Sequence, residues 1–493
     1  MANPLQPIPR KDFDYAAALH LLNRAGFGGT PGQVVALQEL GPEKAVDFLV
    51  DFEDLPRPGP NAEFRGDIMR ELSVEERETL RRARAAGDEE TVARFERERQ
   101  ERQRNDRAQL REMQKWWLAR MIETGRPLEE KLTLLWHGHF ATGYRTIENS
   151  YHMLLQNDFL RRNCAGNFAD LARGIVRDPA MLKYLDNDEN RRTSPNENLA
   201  RELLELFTLG EGNGYGERDI KEGARALTGL TFRGNAPFFD ERQHDGGVKS
   251  ILGRTGNFGA DDFVSIILAR PECSRFIAWK LYRHFVNDAP ALTRDGRETV
   301  ERLAKSIRDA RYDLRPALRA LFRSQHFHAP ENRLSVVKSP VQLVVQTIRS
   351  FRTPTRDLSA LVDAGDLMGQ QLFQPPSVKG WDGGRAWINT ATLFVRQNLA
   401  IYLLTGRRPD GSTTGAEPYD ATHLVAHLRD ARGELDAADA VRHLATFALG
   451  GAPAPERVAA LEEFIESLGG ALDDDRIKAL LCLLCALPEY QLC

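Results

Sequence analysis

The stretch Ser194-Pro195-Asn196-Glu197-Asn198-Leu199-Ala200-Arg201-Glu202-Leu203-Leu204-Glu205-Leu206-Phe207-Thr208-Leu209-Gly210 reads as a helix with both ends written into it. Ser194 and Glu197 have the spacing of a capping box, Pro195 falls at the first helical position, and Gly210 is placed to stop the helix. Leu199, Leu203, Leu206 and Phe207 recur at helical period and form an apolar stripe, so this face packs against other elements. Asn198, Arg201, Glu202 and Glu205 fall on the other side as a polar ridge with two carboxylates. A solvated face also carries such residues, so the ridge is a candidate site and not yet a site.

The same periodicity continues in both directions. Phe13 to Arg24 and Pro31 to Val50 read as helices separated by a glycine-rich turn that lacks the lysine and preceding strand of a phosphate loop. The expected class is mainly α: a large multi-helix orthogonal bundle with a small β-hairpin or irregular insertion and a small helical C-terminal domain. Residues 1–72 form N-terminal helices, 73–123 a charged helical hairpin, 124–260 a first half, 261–405 a second half, 406–419 a linker and 420–493 the tail domain. Within the insertion, Leu230 to Arg233 is expected to pair with Lys249 to Leu252. In the hairpin, Ser73 and Glu76 suit a capping box, Gly87-Asp88 breaks the run, and Leu110, Met113, Trp116 and Trp117 anchor the base. Its arginines and acids interleave in near balance, which suits a solvated arm more than a nucleic-acid arm.

With 493 residues and 42% hydrophobic content, the chain is long enough for more than one packed unit. A net charge of −4 gives no overall basic footprint for nucleic acid, and no run approaches the length needed to span a bilayer. Five cysteines and no visible signal peptide make a cytoplasmic location the default expectation, with export alongside a partner left open. Cys482 and Cys485 lie in an apolar run and are expected to pack rather than react.

His137-Gly138-His139 is the sharpest local signal for chemistry. On a helix the two rings diverge by about 200°, unless Gly138 loosens the last turn and lets them converge on a metal. The alternative is that one ring caps a helix end while the other packs beneath Trp136 and Phe140. Asp186 and Asn187 precede the Ser194 helix, and with His137, His139 and Glu202 they would make a ligand set for zinc, manganese or iron. Pairing of Arg201 with a buried carboxylate would instead make the cluster structural. His244-Asp245 lies in the one glycine-rich loop of the first half. The loop from Lys379 to Trp387 carries Trp381, Asp382, Arg385 and Trp387 among glycines, a composition suited to gripping a sugar or to plugging the core. No nucleophile elbow, dinucleotide fingerprint or His-Glu-x-x-His pattern is present.

Several of these stretches together resemble the bacterial family catalogued as domain of unknown function 1800. They are His20-Leu21-Leu22-Asn23-Arg24-Ala25-Gly26-Phe27-Gly28, Trp136-His137-Gly138-His139-Phe140, Asn196-Glu197-Asn198 and Ala224-Arg225-Ala226-Leu227-Thr228-Gly229. His244-Asp245, Gly256-Asn257-Phe258, Pro376-Ser377-Val378-Lys379-Gly380-Trp381 and Leu487-Pro488-Glu489-Tyr490-Gln491 follow in order. The resemblance implies association with a second family, domain of unknown function 1501, which looks like the alkaline phosphatase and sulfatase superfamily.

The leading expectation is a metal-assisted, hydrolase-type enzyme acting on an ester or glycan-like substrate with a divalent metal ion as cofactor. In it His137, His139 and Asp186 are metal ligands, Glu197, Glu202, His244 and Asp245 are catalytic, and Asn198, Arg201, Trp381, Asp382 and Trp387 hold substrate. The alternatives are a non-catalytic scaffold for the phosphatase- or sulfatase-like partner, docking through the charged arm, and a glycan-binding module using Trp381 and Trp387.

Overall fold

The computed structural model describes residues 3–56, 63–413, 417–469 and 472–493. Among them twenty-two α-helices and one π-helical turn carry the chain, beside two small antiparallel sheets of two strands each. The mainly α class read from the sequence is the class the chain adopts. Parts of the expected N-terminal unit (57–62), linker (414–416) and tail (470–471) lie outside the described residues, as do residues 1–2.

The segment that opened the reading is helical, though its start and its pitch differ from expectation. Ser194 pairs with Arg191 in an isolated β-bridge, and the helix runs only over Asn198–Glu202 before becoming a π-helix over Leu203–Thr208. The cap passes to Asn196, whose side chain accepts from Asn198 N at 2.9 Å while its own backbone N–H donates to Asn190 Oδ1 at 2.9 Å. Glu197 does not reach back to close a capping box, because its carboxylate is taken by Arg201 at 3.0 Å. Leu209 N donates five residues back to Leu204 O, and the wider turn rotates the apolar face. Leu204 therefore joins Leu199, Leu203 and Phe207 in the core, and Leu206 is left half-buried. Gly210 ends the segment with a left-handed φ of 88°, as its position suggested.

The charged hairpin forms from helices Val74–Ala86 and Glu89–Glu123. Ser73 and Glu76 make the reciprocal cap, and Gly87 turns the chain with φ 70°. Leu110, Met113 and Trp117 bury the base, while Trp116 is half-buried. A buried carboxylate also fastens the arm: Asp106 accepts from Ser150 Oγ at 2.6 Å and from Ser150 N at 3.0 Å.

The small sheets pair differently from expectation. Leu230–Arg233 pairs with Ala236–Phe239, and Lys249–Ile251 pairs with Arg254–Gly256. Each strand takes its nearest neighbour across a two-residue turn, Gly234-Asn235 in the first hairpin and Leu252-Gly253 in the second. That closes a shorter loop than the long-range pairing would.

The hydrophobic core is continuous from the N-terminal helices into the tail helices Ala437–Leu449 and Asp474–Ala486. The last residues return to the body: Leu492 bridges Val337, and the Tyr490 hydroxyl meets Thr347 Oγ1 at 2.7 Å. All five cysteines are free, and Cys485 is buried in the tail core. Among the described residues no helix is long and apolar enough to cross a membrane.

A cationic cavity as the candidate functional site

Helix Pro127–His139 starts on a proline at its first position and buries both acids of its first turn. Glu130 accepts from Trp117 Nε1 at 2.9 Å and pairs with Arg120 and with Arg161, the latter at 2.9 Å. These acids are thus fully engaged in a buried ion network, which fixes the helix in the body. One face of the helix, Lys131, Leu134, Leu135 and Gly138, lines a cavity of about 220 Å³.

Helix Pro271–Phe285 forms a second wall. Its apolar side, including Ile277, Leu281 and Phe285, is buried in the core, and Lys280, Arg283 and His284 line the same cavity at one-turn spacing. Arg24, Lys338 and the loop from Lys379 to Trp387 complete the lining. The loop can sit so close because two glycines meet. A Cβ on Gly380, whose φ is 80°, would lie 2.1 Å from the Gly138 carbonyl oxygen. Gly138 in turn faces the Trp381 ring, 3.4 Å from where its own Cβ would be. Gly138 therefore serves close backbone packing between helix and loop.

This placement decides the fate of the His-Gly-His pair. His137, 1% exposed, packs among the rings of Trp117, Phe373 and Trp381, and its Nε2 accepts from Phe373 N at 3.2 Å. Burial holds its pKa down at about 3, so it is neutral at physiological pH. His139, 5% exposed, donates from Nε2 to the Phe207 carbonyl at 3.0 Å. That carbonyl is one of those left over at the end of the π-turn. The ring also packs against Trp136 and Phe140. The lone pair of His139 is consequently on Nδ1, which has no partner among the described residues. Burial, reinforced by the charge of Lys280, keeps this ring neutral as well.

Asp186 stands elsewhere, with φ 55° and its carboxylate accepting from Asn198 Nδ2 at 3.3 Å. The expected ligand set His137, His139 and Asp186 is therefore not assembled. No group of three or more His, Cys, Asp or Glu among the described residues is arranged to hold a metal ion.

The other expected site residues divide into two groups. His139, Trp381, Asp382 and Trp387 line the cavity. Glu202 is outside the lining, and burial and then Glu205 raise its pKa while Arg201 and the lining residue Lys379 oppose the rise. The rest are paired outside the cavity lining. Arg201 gathers Glu197 at 3.0 Å, Glu217 at 2.9 Å and Glu205 at 3.6 Å, so the polar ridge is an ion-pair cluster. Asp245 pairs with Arg225 at 2.7 Å, and His244 Nδ1 donates to the Thr228 carbonyl at 2.9 Å. That pair ties the hairpin region to helix Glu217–Ala226.

The residues that dominate the cavity were not singled out from the sequence. Six cations line it, Arg24, Lys131, Lys280, Arg283, Lys338 and Lys379, against Asp288, Asp382 and Cys493, the last of which favours the charged forms of Arg24, Lys131 and Lys338. Ion pairs are frequent in this protein, yet none of the six forms one with a carboxylate side chain among the described residues. Burial holds the pKa of Lys131, Lys280 and Lys338 down at about 8. Several buried polar atoms of lining residues have no partner among the described residues: Arg24 Nε and Nη1, His139 Nδ1, His284 Nε2, Asp288 Oδ2 and Trp381 Nε1. An unpartnered buried polar group costs about 1–3 kcal/mol, a cost that water or a polar solute in the cavity would relieve. The legible signal was a lysine on an otherwise apolar helix face at Lys131, and the run Lys280, Arg283, His284 on one face.

The structure thus defines a mainly α-helical protein with a cationic cavity between two core helices and a glycine-rich loop. The chain belongs to the family described as Protein of unknown function (DUF1800), which matches residues 20–492. No curated protein and no solved structure matches it.

Proposed function

We propose that this protein recognises a small ligand through an anionic group, a phosphate, sulfate or carboxylate, bound in the cavity. The observation that carries the reading is the set of six lining cations without a carboxylate ion pair. Arg24, Lys131 and Lys338 are buried. Cys493, and for Arg24 also Asp288, offset their charge without forming an ion pair. A buried cation costs several kcal/mol unless an anion joins it directly. Arg24 illustrates the arrangement. Its Nη2 is held by Val286 O at 2.6 Å, Asn332 O at 2.9 Å and Ser335 Oγ at 2.7 Å, while Nε and Nη1 have no partner. Such an arginine is positioned by the protein at one nitrogen and has donors left for a planar or tetrahedral anion.

Trp381 and Trp387 beside these cations favour a ligand whose anionic group is carried on a flat, partly polar body such as a sugar. A partner resembling the alkaline phosphatase and sulfatase superfamily would handle the same chemistry, which favours phosphate or sulfate over carboxylate. The hydrolase-type reading takes a concrete form at this site: the ester bond to the bound anion would be the one broken, beside the unpartnered Nδ1 of His139. Cytoplasmic residence belongs to the same proposal and rests on five free thiols.

The test is calorimetric titration at low ionic strength with sulfate, phosphate and a sugar phosphate, comparing wild type with Arg24→Gln and Lys131→Gln. Binding at one site per chain, weakened tenfold or more in either variant, is expected. Folded wild-type protein that takes up none of these anions sinks the reading.

A further inference from the structure

We propose that Lys280 is a reactive amine, and that its Nζ condenses with the carbonyl carbon of a ligand whose anionic group is held by Arg24, Lys131 and Lys338. The inference rests on the anion-binding reading and adds a covalent step to it. It singles out Lys280 among the four lysines of the cavity because the other three are engaged or solvated. Lys131 Nζ donates to Gln342 Oε1, and Lys338 Nζ donates to Tyr490 O at 2.7 Å. Lys379 is exposed. Lys280 makes no hydrogen bond or ion pair among the described residues. Its Nζ lies over the rings of Phe276 at 5.2 Å and Trp279 at 5.5 Å.

Burial and the like charge of Arg283 favour the neutral form of Lys280 against the cation–π contacts that favour the ammonium, and the neutral amine is the nucleophile. The charged and titratable groups sharing its cavity are Arg283 and His284 on its own helix, and His139 and Lys131 on Pro127–His139. Arg24, Lys338, Asp288, Lys379, Asp382 and Cys493 come from the remaining walls. Burial, and then Arg283, lowers the Lys280 pKa to about 8.

The step is balanced within the cavity. The Nζ lone pair forms the N–C bond and the carbonyl π electrons move to oxygen, which takes up a proton to give a carbinolamine. Its hydroxyl then leaves as water on receiving a second proton, as the nitrogen lone pair forms the C=N bond. The two protons taken up are those the nitrogen sheds. No oxidant or reductant is consumed. The substrate class is an aldehyde or ketone with an anionic tail, an open-chain sugar phosphate being one example.

Pyridoxal 5′-phosphate, which carries both groups, is a direct probe. The full chain is incubated with it, reduced with borohydride, digested and mapped by mass spectrometry, with and without sulfate. Labelling of Lys280 at least tenfold faster than surface lysines, rising with a midpoint near pH 8 and suppressed by sulfate, is expected. Lys280→Arg should lose that label while keeping its circular dichroism. Sulfate binding without preferential labelling of Lys280 overturns the imine and leaves the cavity reading standing. Failure of both sulfate binding and labelling overturns the two together.

Discussion

Gly138 and Gly380 meet backbone to backbone, with the Gly138 carbonyl oxygen only 2.1 Å from where a Cβ on Gly380 would stand. This contact sets the distance between helix Pro127–His139 and the loop that brings Lys379, Trp381 and Asp382 to the cavity.

Gly380→Ala combines a backbone clash with a left-handed φ of 80°. It is expected to cost more than about 1 kcal/mol of stability and to weaken anion binding by displacing the loop. Thermal melts and anion titration measure the two effects separately. An alanine variant with unchanged affinity would show that the loop does not shape the site.

Removing one partner from the buried network of Glu130 should be far more damaging. Glu130→Ala leaves Arg120 and Arg161 without their shared carboxylate and strands Trp117 Nε1. A loss of about 3–5 kcal/mol is expected, read by denaturant unfolding. A change under about 1 kcal/mol would mean that the arginines find other acceptors.

Acid should destabilise the protein through its buried neutral histidines. The His137 pKa falls from 6.5 in the open chain to about 3 when folded. The unfolded chain thus binds the extra proton between those values, so stability is full above about 6.5 and declines as pH falls toward 3. At pH 5 this ring alone removes about 2 kcal/mol, and burial acts in the same direction on His20, His139 and His284. Melting temperatures from pH 7.5 to 5 should drop less steeply for His137→Gln than for wild type. Equal slopes would remove His137 from the account.

Asp245→Asn offers a control outside the cavity. It weakens the pairing with Arg225, where both side chains are partly exposed, and about 1 kcal/mol of stability should be lost. Anion affinity should not change. A tenfold loss of affinity would return His244 and Asp245 to the site.

What the sequence disclosed followed from local rules, and what it hid depended on distant partners. The Ser73–Glu76 cap and the stop at Gly210 are decided within four residues, and both stand. The Ser194 cap was legible but wrong, because Asn190, four residues upstream and brought near by a turn, supports Asn196 as the competing cap. The histidine pair drew attention correctly to the region of the cavity. Its Gly138, however, answers to Gly380, some 240 residues away, which no local pattern could indicate. The cations stayed hidden for the same reason. Arg24, Lys131, Lys280 and Lys338 come from four separate segments, and only the fold shows that no carboxylate side chain forms an ion pair with them.

The π-turn at Leu203–Thr208 places the Phe207 carbonyl where His139 donates to it. A π-turn is an α-helix carrying one residue too many, so chain length is the information stored there. Deleting a single residue from this segment would restore ordinary pitch, swing that carbonyl around the helix axis by about 100°, and release the imidazole to take its other tautomer. Which nitrogen of His139 carries the lone pair is in this sense set by a count of residues, and an insertion or deletion here would change the cavity without altering any side chain that lines it.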